Sequence, residues 1–141
     1  MASQQQVLDD YIVFFEQMTT EDINRLPTFF AQQARFKDPF NDVYGIEAIR
    51  QVFHHMFETL TAPKFVIEEA IMGSDIAYIK WQFTGILKAK PLKLVGVSRV
   101  VFDESGLVSE HIDYWDASEQ FYMKLPLIGS ILRFIQRQAA S

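Results

Sequence analysis

The sequence predicts an α+β fold, and three observations carry that prediction. Apolar residues recur every three to four positions up to Pro63, the spacing of amphipathic helices. Beyond Pro63 the apolar period becomes two, the spacing of strands. No linker, internal repeat or low-complexity tract divides the 141 residues, so both halves are expected in one domain, 1–141. Helices first and strands afterwards bury their apolar faces most simply as a curved antiparallel sheet wrapped around three N-terminal helices.

The first helix is set by Val7, Leu8, Tyr11, Phe14, Phe15 and Met18 in "VLDDYIVFFEQM". The second is expected in "TTEDINRLPTFFAQQ", with Thr20, Glu21 and Asp22 suited to a helix start and Pro27 bending or interrupting it. "ARFKDPF" reads as a short strand over 34–37, because a residue before Pro is pushed out of the α region. In "GIEAIRQVFHHMFETL", Ile46, Ile49, Val52, Phe53, Met56, Phe57 and Leu60 form the third helical stripe, which Pro63 ends. "KFVIEEAIMG" and "DIAYIKWQFTG" read as strands joined at Gly73-Ser74, and "LKLVGVSRVVFDESGLVSEHIDYW" as a hairpin around "DESG". Four main antiparallel strands are therefore expected after the helices. Asp116 and Glu119 can form a capping box, and an extra C-terminal helical extension is expected over 118–138.

Composition removes several function classes. Lys plus Arg number 13 against 18 Asp plus Glu, a formal charge of −5 without a basic block, which is the wrong sign for a phosphate-tracking nucleic-acid binder. With no Cys, disulfides, thiol catalysis and Cys-based metal sites are excluded. His54 and His55 are adjacent on a helix and diverge, so they read as solvated or rim residues rather than metal ligands, and no metal site is expected. No GxGxxG or Walker pattern implies a nucleotide, and no cofactor is expected. The start of the chain lacks a signal-peptide pattern and no run reaches the ~20 apolar residues of a membrane span, so a soluble, cytoplasmic protein is expected. Aromatic residues make up 14% of the chain, enough to raise an aromatic-lined pocket as an expectation.

Three segments in order, "EDINRLPTFFAQQARFKDPF", "GIEAIRQVF" and "SGLVSEHIDYWD", resemble the nuclear transport factor 2-like superfamily, which includes ketosteroid isomerases, SnoaL-like polyketide cyclases and limonene epoxide hydrolases. The resemblance covers about residues 7 to 117 and implies a cone-shaped fold with a pocket. Asp38 falls where ketosteroid isomerases keep a proton-moving carboxylate. Turn chemistry alone reads Asp38 as the cap of an Asp-Pro turn, and the resemblance sets beside it the reading of a base whose pKa an apolar cavity raises.

Strand alternation sends His111, Asp113 and Trp115 to one face, and the resemblance implies that this face meets the pocket. Asp38, Asp113 and His111 then form an acid/base set, or a polar cluster satisfied within itself. Ala77, Ile79, Trp81 and Phe83 share a face expected to form the pocket wall, while Tyr78, Lys80, Gln82 and Thr84 face solvent or the partner in a homodimer. Ser98 falls where ketosteroid isomerases hold an oxyanion-binding Asp, and the partner Tyr of that site falls on Tyr11 or is replaced by Phe14. Phe40 and Tyr44 read either as lining the mouth or as ordinary packing residues, and Phe53 and Phe57 from the third helix complete the lining. The Trp81 strand lacks the Arg–Asp pair of the epoxide hydrolases, which argues against that reaction. The resemblance thus implies a small apolar ligand bearing a carbonyl or hydroxyl, with isomerase- or cyclase-type turnover, non-catalytic carriage of a lipid- or polyketide-like molecule, and protein interaction as competing outcomes. The apolar stripe Leu127, Ile128, Ile131, Leu132, Phe134 and Ile135 fits a lid, a dimer contact or a membrane-surface helix.

Overall fold

The computed structural model describes residues 3–116. The expected extension over 118–138, and with it the partner of Asp116 in the proposed capping box, lies outside the described residues. The chain opens with α1 (Gln4–Glu16), capped by the Ser3 side chain. It buries Leu8, Tyr11, Phe14 and Phe15 on one stripe, as the spacing requires.

The second helical region is shorter than its sequence suggests. A 3-10 turn, Thr20–Arg25, is opened by a capping box between Thr19 and Asp22, and a four-residue α2 (Leu26–Phe29) carries Pro27 in its first turn. Proline starts this turn of helix instead of bending a longer one, because its missing N–H is an orphan at that position. Strand β1 (Phe30–Lys37) then takes up "FAQQ", residues expected as helix. Phe30, Ala34 and Phe36 are buried on it while Gln32 and Gln33 stay exposed, so tertiary burial overrides the local helix preference. A three-residue β2 (Asp42–Tyr44), not foreseen in the sequence, pairs back onto β1.

Gly45, at φ 94° and ψ 150°, turns the chain into α3 (Ile46–Thr59). Four long strands complete the domain: β3 (Thr61–Met72), β4 (Ile76–Leu87), β5 (Lys90–Phe102) and β6 (Val108–Tyr114). The sheet order is β2-β1-β6-β5-β4-β3, antiparallel throughout except where β1 lies parallel to β6. Pro63 sits on the edge strand β3, where a missing N–H costs no ladder bond.

One face of the sheet packs on α1 and α3, and its inward residues join theirs in a single core. The β1–β6 pairing decides the position of the site. It brings the Asp38 turn beside the C-terminal end of β6, with Phe36 opposite His111 and Lys37 opposite Ile112. Among the described residues no helix is long and apolar enough to cross a membrane.

Candidate functional site

Asp38 occupies the hairpin between β1 and β2, closed by backbone bonds from Asp38 N to Asn41 O (2.9 Å) and from Asn41 N to Asp38 O (3.3 Å). Its Oδ1 accepts from the backbone N–H of Phe40 and of Asn41, both at 2.8 Å, so it does cap the turn. The Asn41 side-chain amide straddles the carboxylate, 3.1 Å from each oxygen. The same carboxylate lines a cavity of about 140 Å³, so it caps the turn and faces the cavity at once. Burial pushes its pKa from 3.8 up to about 6, the charge of Asp113 adds to the rise, and the bonds from Phe40 and Asn41 only partly oppose it.

Asp113 faces the same cavity from the end of β6, with its side chain 14% exposed. Two donors converge on its Oδ1: the Ser98 hydroxyl, and Nε2 of His111 at 2.8 Å. Behind His111, its Nδ1 lies 2.7 Å from the Tyr11 hydroxyl. The directions of these bonds follow from hydrogen counting. Tyr11 is 1% exposed among the rings of Phe15, Phe30 and Phe102, and His111 is its one hydrogen-bond partner among the described residues. Accepting from Nδ1 would strand the phenol hydrogen, so Tyr11 donates, and the ring hydrogen of His111 lies on Nε2, toward Asp113. Burial, with the charge of Asp113 added, holds the Tyr11 phenol well above its ordinary pKa and therefore protonated. The His111 ring is further fixed by stacking on Phe36, with centroids 4.8 Å apart.

On the other side, the indole Nε1 of Trp81 lies 2.8 Å from Ser98 Oγ. An indole N–H can only donate, which leaves the serine hydrogen for Asp113.

The cavity walls are apolar. Phe36, Phe40, Phe53, Trp81, Phe83 and Trp115 line it, with Phe40 and Trp115 in edge-to-face contact at 5.2 Å. Other expected residues lie elsewhere. Tyr11 sits behind His111 and Asp113, off the cavity wall, so it has no direct reach to a ligand there, while His111 lines a smaller adjoining cavity of about 30 Å³ with Ser98 and Asp113. Phe14 stacks on Phe29 and borders an outer groove with Arg25. Phe57 borders a second outer groove beside Arg50. Tyr44 is 63% exposed under the Arg35 guanidinium, and Ser98 touches Asp113 rather than the main cavity.

Several lining residues were not selected from the sequence, Phe36, Val52, Met56, Thr59 and Phe65 among them, and two that carry side-chain nitrogen matter most. Asn41 is one, although "DPFN" is the spacing at which an Asp side chain meets the following N–H groups. His55 is the other: it turns into the cavity while its neighbour His54 pairs outside with Glu58 at 2.7 Å, the divergence that adjacent helix positions impose. Among the described residues no three His, Asp or Glu side chains converge to hold a metal.

Comparison with known proteins agrees with this architecture. No curated protein matches the sequence. PrhC from Penicillium brasilianum NBRC 6234 superposes with a TM-score of 0.75 at 11% identity, over 95% of this chain and 96% of that one. A candidate SnoaL-like polyketide cyclase from Shewanella putrefaciens CN-32 gives 0.70 at 18% identity, over 87% and 98%. A protein with a ketosteroid isomerase-like fold from Catenulispora acidiphila DSM 44928, solved in complex with trimethylamine, gives 0.70 at 16% identity, over 81% and 88%. At these identities the likeness is one of fold. The sequence itself matches the SnoaL-like domain over residues 13–111, most of its length, and the chain belongs to the SnoaL-like family, with the nuclear transport factor 2-like fold.

Proposed function

We propose that the cavity binds a small apolar molecule bearing a carbonyl or hydroxyl and that Asp38 moves a proton on it, in cofactor-independent chemistry of the isomerase or cyclase type. The observation that carries this reading is a carboxylate pushed to about 6 on the wall of an apolar cavity that it shares with a second carboxylate. Such a group is largely ionised near neutrality and is a stronger base than an ordinary Asp, and once protonated it is an acid of useful strength. Asp38 would take a proton from carbon beside the ligand carbonyl and return it at a second position. Asp113 raises the basicity of Asp38 and offers Oδ2, which has no partner among the described residues, to a ligand hydroxyl. His111 holds Asp113, and Tyr11 holds His111 from outside the main cavity.

The test is hydrogen–deuterium exchange at carbon, read by NMR for a panel of small cyclic ketones and enones in D2O. Exchange catalysed by the wild type and lost in Asp38→Asn supports the reading. Equal exchange with both proteins, or binding without exchange, refutes it.

A second reading is favoured by the pair of acids and by the related protein captured with trimethylamine. Two carboxylates among aromatic faces also suit a small protonated amine held without turnover. Tighter binding of trimethylammonium than of its neutral isostere isobutane would select this reading. The outer sheet face, where Val66, Ile71, Tyr78, Val95 and Val97 are exposed, supports the further proposal of a homodimer, to be tested by light scattering.

A further inference from the structure

The inner face of β5 carries Leu92, Leu94, Gly96, Ser98, Val100 and Phe102, a row of side chains with one gap at Gly96. Opposite the gap, in register on β4, stands Trp81. A Cβ at position 96 would lie 2.5 Å from Cζ2 and 2.6 Å from Cη2 of that indole, and 2.8 Å from the carbonyl oxygen of Tyr114. The six-membered ring of Trp81 therefore lies on the bare backbone of Gly96, and the Tyr114 carbonyl borders the same space. With the ring seated there, Nε1 reaches Ser98 Oγ, two residues further along β5.

We propose that Gly96 is a positioning residue of the site: the space it leaves seats Trp81, whose N–H turns the Ser98 hydroxyl onto Asp113 and so fixes the second carboxylate of the cavity. The inference rests on the reading that Asp38 and Asp113 act together, and it adds a determinant that touches neither the ligand nor Asp113. Asp113 is held by two arms that share Oδ1. One runs from α1 through Tyr11 and His111, and the other from Gly96 through Trp81 and Ser98. Each bond in the second arm has a fixed direction, because the indole only donates and the hydroxyl has a single hydrogen. A methyl group at position 96 would lift the ring, take the N–H off Ser98 and free the serine hydrogen to turn elsewhere. Asp113 would then lose one of its two donors.

Asp38 reports the state of Asp113, because the charge of Asp113 is one of the two causes of its raised titration. The full-length protein, labelled with 13C at the Asp carboxyl carbons, is titrated by NMR as wild type, Asp113→Asn, Ser98→Ala, Gly96→Ala, Trp81→Phe and the Gly96→Ala/Trp81→Phe double variant. Asp113→Asn is expected to bring the Asp38 midpoint down from about 6 toward 3.8. Ser98→Ala, Gly96→Ala and Trp81→Phe are each expected to move it the same way by a smaller step. The double variant is expected to move it no further than Trp81→Phe alone, since both changes cut the same arm. Trp81→Phe removes the N–H together with the outer part of the indole and adds nothing at Gly96, so it carries the test even where Gly96→Ala does not fold. An unmoved midpoint in Trp81→Phe, or additive shifts in the double variant, overturns the proposal while leaving the pairing of the acids intact. An unmoved midpoint in Asp113→Asn overturns the pairing itself, and the proposal with it.

Discussion

Replacing Asp38 by Asn should stabilise the protein near neutral pH, and the structure sets the size of the effect. The carboxyl titrates at about 6 in the fold against 3.8 in the open chain, a rise of about two units. At one unit per 1.36 kcal/mol, ionising Asp38 costs the folded state about 3 kcal/mol. Between the two values the native state binds more protons than the unfolded one, so stability falls as pH rises through this window. The contribution is fully present below 3.8 and is lost above about 6. An amide has no charge to desolvate, so the variant lacks this penalty. Its fit is also favourable. The oxygen of an Asn at position 38 can keep the N–H groups of Phe40 and Asn41, while its NH2 would face the Asn41 amide. Turning the Asn41 amide over presents Oδ1, which is buried without a hydrogen-bond partner among the described residues, to that new donor, in exchange for the bond from Asn41 Nδ2. Urea denaturation from about pH 4 to about pH 8 checks the result. The two proteins should be closely matched at the acid end and diverge to about 3 kcal/mol at the other, near 10 °C in Tm for a domain of this size. Curves that stay parallel across the range would refute the claim that the fold holds a strained carboxylate.

Three further outcomes follow from named contacts. Asn41→Ala removes the amide that touches both Asp38 oxygens, a bond that favours the charged form, so Asp38 should titrate above its present value of about 6 in a carboxyl NMR titration. Tyr11→Phe leaves Nδ1 of the buried His111 without its partner and should cost about 1–3 kcal/mol in chemical denaturation, with the cavity wall unchanged. Gly45→Ala has room for its methyl, since the nearest atom is Gln32 O at 3.8 Å, but φ 94° is open to glycine alone. Its cost of about 1–3 kcal/mol, read in the same assay, therefore comes from backbone conformation.

Periodicity carried most of the fold. The α1 and α3 stripes, the alternation of β4 and the sharing of one face by His111, Asp113 and Trp115 were all legible, because each is set by residues two to four apart. What the sequence hid depends on partners far along the chain. β1 begins at Phe30 because β6 and β2 hold it there, and no local signal in "FAQQ" announces a strand. The β4–β5 hairpin turns at Lys88 and Ala89, both at positive φ, without the Gly or Asn that usually marks such a turn, so β4 reads as ending early at Gly85. Within the site, residue types pointed to Asp38, Asp113 and His111, but not to their order of depth. That Tyr11 stands behind His111 and not beside a ligand follows from where α1 crosses the sheet, which no spacing encodes.

Both acids of the cavity are well supplied with donors, and the origin of those on Asp38 predicts how a ligand will bind. Asp38 takes all its bonds from its own turn, and they are outweighed by desolvation and by the charge across the cavity. A ligand can change this balance from one side only, the open wall. A hydroxyl that donates to Asp38 stabilises the carboxylate and requires it ionised, so its affinity should rise with pH and level off above about 6. A carbonyl must accept a proton from Asp38 and requires the acid form, so its affinity should fall over the same range. Calorimetric titration of a matched alcohol and ketone, cyclohexanol and cyclohexanone, on either side of that value separates the two. Opposite slopes that both vanish in Asp38→Asn would place the proton on this side chain, while equal slopes, or slopes that persist in the variant, would show that the ligand does not meet it.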